Sequence, residues 1–184
     1  KVINNQLNSN LEININDSFN NKNLNINLSN NYGRYNYDSI LKDPTKFKFS
    51  KISNFNQNEP NIIFYKNDII FFDDSGSLIR FNESKDKTWK SNYYSKIEKK
   101  SKPFLFLAKN KDTLIVADTI AKYYAVNIKT GNLIWSNSNS SPFNSEIKIF
   151  KDKFFIIDYE NVLHCYSMNN GKEIWSFKTE NFLI

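Results

Sequence analysis

Few residues in this chain could do chemistry, and most of those that could are repeated. A carboxylate closes a hydrophobic run in three places: Asp73 or Asp74 after Phe71-Phe72, Asp118 after Val116-Ala117, and Asp158 after Ile156-Ile157. Carboxylates gathered at one mouth of a ring could hold a hard cation, which takes several oxygen ligands. Aspartate also closes tight turns by accepting backbone N–H groups, and recurrence once per unit favours that structural role. His164 and Cys165 are the only histidine and cysteine. A base beside a thiol suggests nucleophile or metal chemistry, yet neighbours along a strand point to opposite faces. Aligned positions elsewhere hold Tyr124-Ala125 and Ile79-Arg80, so this column is expected to be structural.

The run Lys96-Ile97-Glu98-Lys99-Lys100-Ser101-Lys102 follows Tyr93-Tyr94. Cations interleaved with rings can bind single-stranded nucleic acid. Arginine, the better reader of bases and phosphates, accounts for only two of 25 basic residues, so no nucleic-acid partner is expected. The run reads instead as a solvated loop between units. The net charge of +6 goes with an abundance of Lys, Asn, Ile, Phe and Tyr, all A/T-rich codons, and reads as a solvated surface rather than a selected ligand site. No phosphate-cradling glycine loop, Gly-x-Ser-x-Gly elbow or His-Glu-x-x-His helix occurs. A single cysteine excludes an internal disulfide framework and a four-cysteine zinc site. The expectation is a chain with no catalytic, cofactor-binding or metal-binding residue.

The elements that carry these residues repeat. The first unit holds Ile62-Ile63-Phe64-Tyr65, Asp68-Ile69-Ile70-Phe71-Phe72 and Leu78-Ile79-Arg80-Phe81, and ends near Trp89. The second holds Phe104 to Ala108, Thr113 to Asp118 and Tyr123-Tyr124-Ala125-Val126, and ends near Trp135. The third holds Ile147-Lys148-Ile149-Phe150, Phe154 to Asp158 and Val162 to Tyr166, and ends near Trp175. The tryptophans stand 46 and 40 residues apart, within the period of propeller blades. Each unit reads as four short strands, and none carries a helical period, which predicts an all-β fold. The middle runs are nearly continuous hydrophobics, as expected of strands buried on both faces between neighbouring blades.

Fourteen of the first 36 residues are Asn. Leu11 to Ile15 and Leu24 to Leu28 alternate apolar and polar, so residues 1–36 read as a tether or a small β-hairpin. Residues 37–184 read as a partial β-propeller: a lead-in strand at 47–52, blades at about 60–92, 103–138 and 145–178, and the start of a fourth at 181. The chain opens at Lys1 without a charged-then-apolar signal segment, and no apolar run reaches the ~18 residues of a membrane span. It is expected to be a processed or truncated piece.

The sharpest motif is Ala125-Val126-Asn127-Ile128-Lys129-Thr130-Gly131-Asn132-Leu133-Ile134-Trp135, matched by Cys165 through Gly171 to Trp175. Gly131 and Gly171 each precede the tryptophan by four residues, where a left-handed residue closes a hairpin. The small Ala125 and Cys165 leave room for a ring. This pattern resembles the tryptophan-docking repeat of pyrroloquinoline-quinone-like β-propellers, with Asn127 for the usual Asp. Arg80 to Trp89 departs from it, being one residue shorter and lacking Gly. Trp89, Ala125, Gly131, Trp135, Gly171 and Trp175 are the structural residues the resemblance assigns.

Within that family the chain is most similar in type to BamB, the lipoprotein of the outer-membrane β-barrel assembly machinery. The stretch from Tyr37 to Ile52 resembles the approach to its first blade, with Phe where Trp is often found. The resemblance implies an eight-bladed, four-stranded antiparallel propeller of which about three blades are present. It implies a non-catalytic scaffold without cofactor, bound to a BamA-type partner at the periplasmic face of the bacterial outer membrane. Its attachment there would be peripheral, through a lipid anchor not present in this chain. Partner-binding residues cannot be matched one by one and stay unknown. The alternatives are a fragment of a quinoprotein dehydrogenase using pyrroloquinoline quinone, or the sensor propeller of a larger protein. The single Cys165 lacks the second cysteine of the vicinal disulfide found in many such dehydrogenases.

Overall fold

The computed structural model describes residues 62–84 and 86–178. The expected tether or hairpin at 1–36, the lead-in strand at 47–52 and the fourth-blade start at 181 lie outside the described residues. Three sheets of four strands follow one another in the chain. The first comprises β1 (Ile63–Tyr65), β2 (Asp68–Phe72), β3 (Leu78–Phe81) and β4 (Lys87–Ser91). After a short helix α1 (Lys96–Lys100), the second comprises β5 (Leu105–Asn110), β6 (Thr113–Asp118), β7 (Lys122–Asn127) and β8 (Leu133–Ser138). The third comprises β9 (Lys148–Phe150), β10 (Lys153–Ile157), β11 (Val162–Ser167) and β12 (Glu173–Lys178). Every sheet is an antiparallel meander. The backbones of the first strands β1, β5 and β9 approach one another from sheet to sheet, so these strands lie innermost. These are about three blades of a β-propeller.

Strand period explains why the middle runs are apolar throughout. In β6, Leu114 and Val116 face the first sheet, and Ile115 and Ala117 face the third. In β7, Tyr124 and Val126 face the first sheet while Tyr123 and Ala125 face the third. Successive side chains leave a strand on opposite faces, so a blade with a neighbour on each side must be apolar at both. Burial of each large side chain contributes roughly 1.5–3 kcal/mol.

The first hairpin of each sheet turns on a lysine at positive φ: Lys66 (56°), Lys111 (53°) and Lys151 (55°). The second hairpins use Gly76 (74°), Ala121 (71°) and Asn161 (60°) at equivalent places. No described residue covers the far face of the third sheet. Phe155, Ile157, Leu163, Trp175 and Phe177 share that face by register, and Phe177 is 61% exposed.

Candidate functional site

The chemically capable residues lie at two levels: the seams between blades, and the mouth that carries the β2–β3, β6–β7 and β10–β11 turns. At the first seam the Trp89 indole lies flat against Gly131 of the next blade. A Cβ built on Gly131 would stand 2.7 Å from Trp89 Cδ2. Trp89 Nε1 donates to the Ile128 carbonyl at 2.8 Å. The Gly131 carbonyl accepts from Ser91 Oγ at 2.8 Å and from the Tyr93 hydroxyl. At the second seam Trp135 Nε1 donates to the Met168 carbonyl at 2.9 Å. A Cβ on Gly171 would meet Trp135 Cζ3 at 2.5 Å. Trp135 also stacks on Phe154, with centroids 6.1 Å apart at 12°.

Gly131 and Gly171 therefore have two tasks. Each closes its own hairpin at φ +73° or +69°, donating N–H to Asn127 or Ser167. Each also receives the indole of the preceding blade, where no side chain fits. The missing glycine of the first unit is consequently no obstacle to Trp89, whose seat lies one blade further along. Ala125 and Cys165 sit directly across the ladder from Trp135 and Trp175, and both are fully buried. Trp175 is 43% exposed, on the face that no described residue covers.

The first seam has a second lock outside the motif. Arg80 pairs with Asp68 at 2.6 Å and donates Nη1 to the Ile128 carbonyl at 2.9 Å. Tyr65 donates to Asp112 Oδ1 at 2.5 Å, and Lys129 holds the other oxygen at 2.6 Å. Sequence reading passed over all five residues, because the bonds of Tyr65 to Asp112 and of Arg80 to the Ile128 carbonyl exist only once blades are stacked.

The three recurrent aspartates have one shared role. Asp73 Oδ1 accepts the Ser75 and Ser77 amides, Asp118 Oδ1 those of Ile120 and Lys122, and Asp158 Oδ1 those of Glu160 and Val162. Each closes the turn after the second strand of its blade. Of Asp73 and Asp74, Asp73 takes the position. The second oxygens differ. Asp73 pairs with Lys90 at 2.8 Å, and Asp118 accepts from the Tyr94 hydroxyl at 2.5 Å across the seam. Asp158 accepts from His164 Nε2 at 3.0 Å and from Asn139 Nδ2 at 3.3 Å.

Their electrostatics diverge accordingly. Burial pushes Asp73 up, but the bonds from Lys90, Ser75 and Ser77 outweigh it and hold the carboxyl at about 2. Burial raises Asp158 too, and the His164 and amide bonds again prevail, leaving it lowered. Asp118 is raised, because burial exceeds what Tyr94 and the two amides return. Among the described residues no group of three or more His, Cys, Asp or Glu could hold a metal ion.

His164 is buried, and its second nitrogen, Nδ1, faces Glu173 Oε2 at 2.8 Å. Cys165 points to the opposite face and opposes Trp175, so the two adjacent residues share no site. Burial raises its thiol above the ordinary cysteine range, against the reactivity of a nucleophile.

The basic run is a helix turn rather than the expected loop. Ser95 Oγ accepts the Glu98 amide at 3.3 Å, and Glu98 returns to the Ser95 amide at 2.6 Å. Ser95-x-x-Glu98 is a capping box, and that was the signal available in the sequence. Glu98 also reaches Lys122 at 3.2 Å. Tyr94 is buried on Asp118, and Tyr93 packs against Tyr124, so neither ring offers a free stacking face.

Residues 125–184 match a family model described as outer membrane protein assembly factor BamB. No curated protein sequence matches the chain. Among solved structures it resembles BamB from Moraxella catarrhalis at 16% identity and a TM-score of 0.54, covering 65% of this chain and 35% of that one. It resembles the quinohemoprotein alcohol dehydrogenase ADHIIG from Pseudomonas putida HK5 at 18% identity and a TM-score of 0.56, covering 66% and 20%. The computationally designed Ika8 protein aligns at 10% identity and a TM-score of 0.55, covering 65% and 36%. At these identities the solved structures speak for the fold, and the chain spans from a fifth to little more than a third of the length of these three. The similarity to pyrroloquinoline-quinone-like repeats of the BamB type, read from the sequence, is borne out by the family match and the BamB fold.

Proposed function

We propose that the chain is part of a non-catalytic propeller scaffold in outer-membrane β-barrel protein assembly, displaying a rigid loop surface to a protein partner. The match of residues 125–184 to the BamB family model carries this reading. The commitment of the reactive groups supports it: Asp73, Asp118, Asp158 and His164 all bind within the fold. By the resemblance, the partner is a BamA-type component and the place of action is the periplasmic face of the outer membrane. The scaffold works through stiffness. Blades stapled across two seams hold their mouth loops in fixed relation, so a partner loses little free energy to loop ordering on binding. Affinity capture of the full-length protein from cell-envelope extracts tests the proposal. Recovery of the barrel-assembly component supports it, and repeated capture without that component defeats it.

The dehydrogenase reading rests on the quinohemoprotein neighbour. Pyrroloquinoline quinone is a planar triacid used with Ca²⁺, so it needs a stacking surface, cations and a cluster of free oxygens. The described residues do not fit it: each turn carboxylate already accepts its own amides and a side-chain donor. Titrating the full-length protein with the quinone and Ca²⁺, followed by absorbance, separates the readings, since tight binding would favour the enzyme.

A further inference from the structure

The α1 turn has an outward face that neither the blades nor the proposed scaffold role uses. At 100° per residue, Glu98 points back to Lys122 and Ser95, and Lys96, Ile97, Lys99 and Lys100 spread over the opposite roughly 160°. No ion pair engages these three lysines among the described residues. Three carboxylates of this region are engaged within the fold: Glu98 by Lys122, Asp73 by Lys90, and Asp118 beneath Tyr94. Ile97 is 79% exposed, the most exposed large hydrophobic side chain among the described residues. The turn thus presents three lysines with one exposed apolar side chain at the edge of their arc, beside Lys100.

We propose that α1 docks on an anionic phospholipid surface, with Lys96, Lys99 and Lys100 among the headgroup phosphates and Ile97 inserted at the acyl boundary. Charge complementarity selects the occupant. Lysines act as point charges on mobile stems, suited to a diffuse anionic plane rather than to bidentate recognition. A convex turn with one protruding aliphatic group fits a flat, deformable surface, as amphipathic interfacial segments do. Single-stranded nucleic acid would need stacking rings, and Tyr93 and Tyr94 are already packed or hydrogen-bonded.

Co-sedimentation of the full 184-residue chain with phosphatidylglycerol–phosphatidylcholine vesicles tests this. Binding is expected there, absent on phosphatidylcholine alone and weakened by salt. At roughly fivefold per lysine, the triple variant Lys96→Gln/Lys99→Gln/Lys100→Gln loses about a hundredfold in affinity. The control Lys87→Gln/Lys172→Gln/Lys178→Gln removes the same charge from other exposed positions and retains most of the binding. In the Ile97→Trp variant, the emission of the introduced indole shifts to the blue on the vesicles. Equal losses in the two triple variants overturn the proposal, as does an emission from the Ile97→Trp variant that the vesicles leave unshifted. Displacement by inorganic phosphate at constant ionic strength would make free phosphate the ligand. Binding to polyglutamate but not to vesicles would make it an acidic protein. Either outcome refutes the lipid assignment. None of these readouts depends on the barrel-assembly partner.

Discussion

Replacing Gly131 with alanine separates the two tasks assigned to that residue. The backbone at φ +73° costs an L-residue about 1–2 kcal/mol. The new Cβ falls 2.7 Å from Trp89 Cδ2 and 3.0 Å from Ser91 Oγ, so the indole must move. Overpacking of this kind costs about 1–3 kcal/mol. Displacing the ring also threatens the Trp89–Ile128 hydrogen bond, worth about 1 kcal/mol net. The sum is about 3–6 kcal/mol, a large share of the ~5–15 kcal/mol that holds a typical domain. Urea unfolding followed by far-UV circular dichroism measures it without relying on the indole signal. The decisive comparison is a double-mutant cycle with Trp89→Ala. Without the indole, Gly131→Ala should cost only the backbone part, about 1–2 kcal/mol. An identical cost in both backgrounds would refute the seam contact and leave the glycine as a turn residue alone.

The same logic with opposite sign applies to Ala121, whose φ of 71° matches the place Gly76 holds in the first blade. Ala121→Gly should stabilise the chain by about 0.5–1 kcal/mol, the left-handed strain relieved less the glycine entropy, seen as a higher urea midpoint. Trp135→Ala should cost about 3–5 kcal/mol, whereas Trp175→Ala should cost under about 2 kcal/mol in this chain, because its ring is 43% exposed. Acid sensitivity should follow Asp73 and Asp158. Their folded values are lowered, so their contribution is present above the unfolded carboxylate range and is lost as pH falls through the folded values, for Asp73 between about 4 and about 2. Asp118 is raised and opposes them: as pH falls through its folded value, a penalty on the ionised form is relieved. Asp73→Asn should therefore flatten thermal stability between pH 4 and 2 relative to the parent, and an unchanged slope would contradict the assignment.

Short, nearly continuous hydrophobic runs, three tryptophans 46 and 40 residues apart and one aspartate per unit were sufficient to identify antiparallel blades, because strand-length runs and turn chemistry act within a few residues. The turn role of Asp73, Asp118 and Asp158 was legible for the same reason: the amides each accepts lie two and four residues ahead. The capping box at Ser95 and Glu98 was equally local, but the density of lysine around it read as loop.

Contacts between blades were not legible. That Gly131 receives Trp89 from 42 residues earlier, that Tyr94 reaches Asp118, and that Arg80 reaches the Ile128 carbonyl depend on how one sheet stacks on the next. His164 between Asp158 and Glu173 depends likewise on two adjacent strand pairings and a bulge at Cys165 and Tyr166. Local sequence determined the strands, turns and repeat, since their energetics are set by near neighbours along the chain. Tertiary structure alone decided which donor meets which acceptor across a seam, because those distances exist only once separate sheets are packed together.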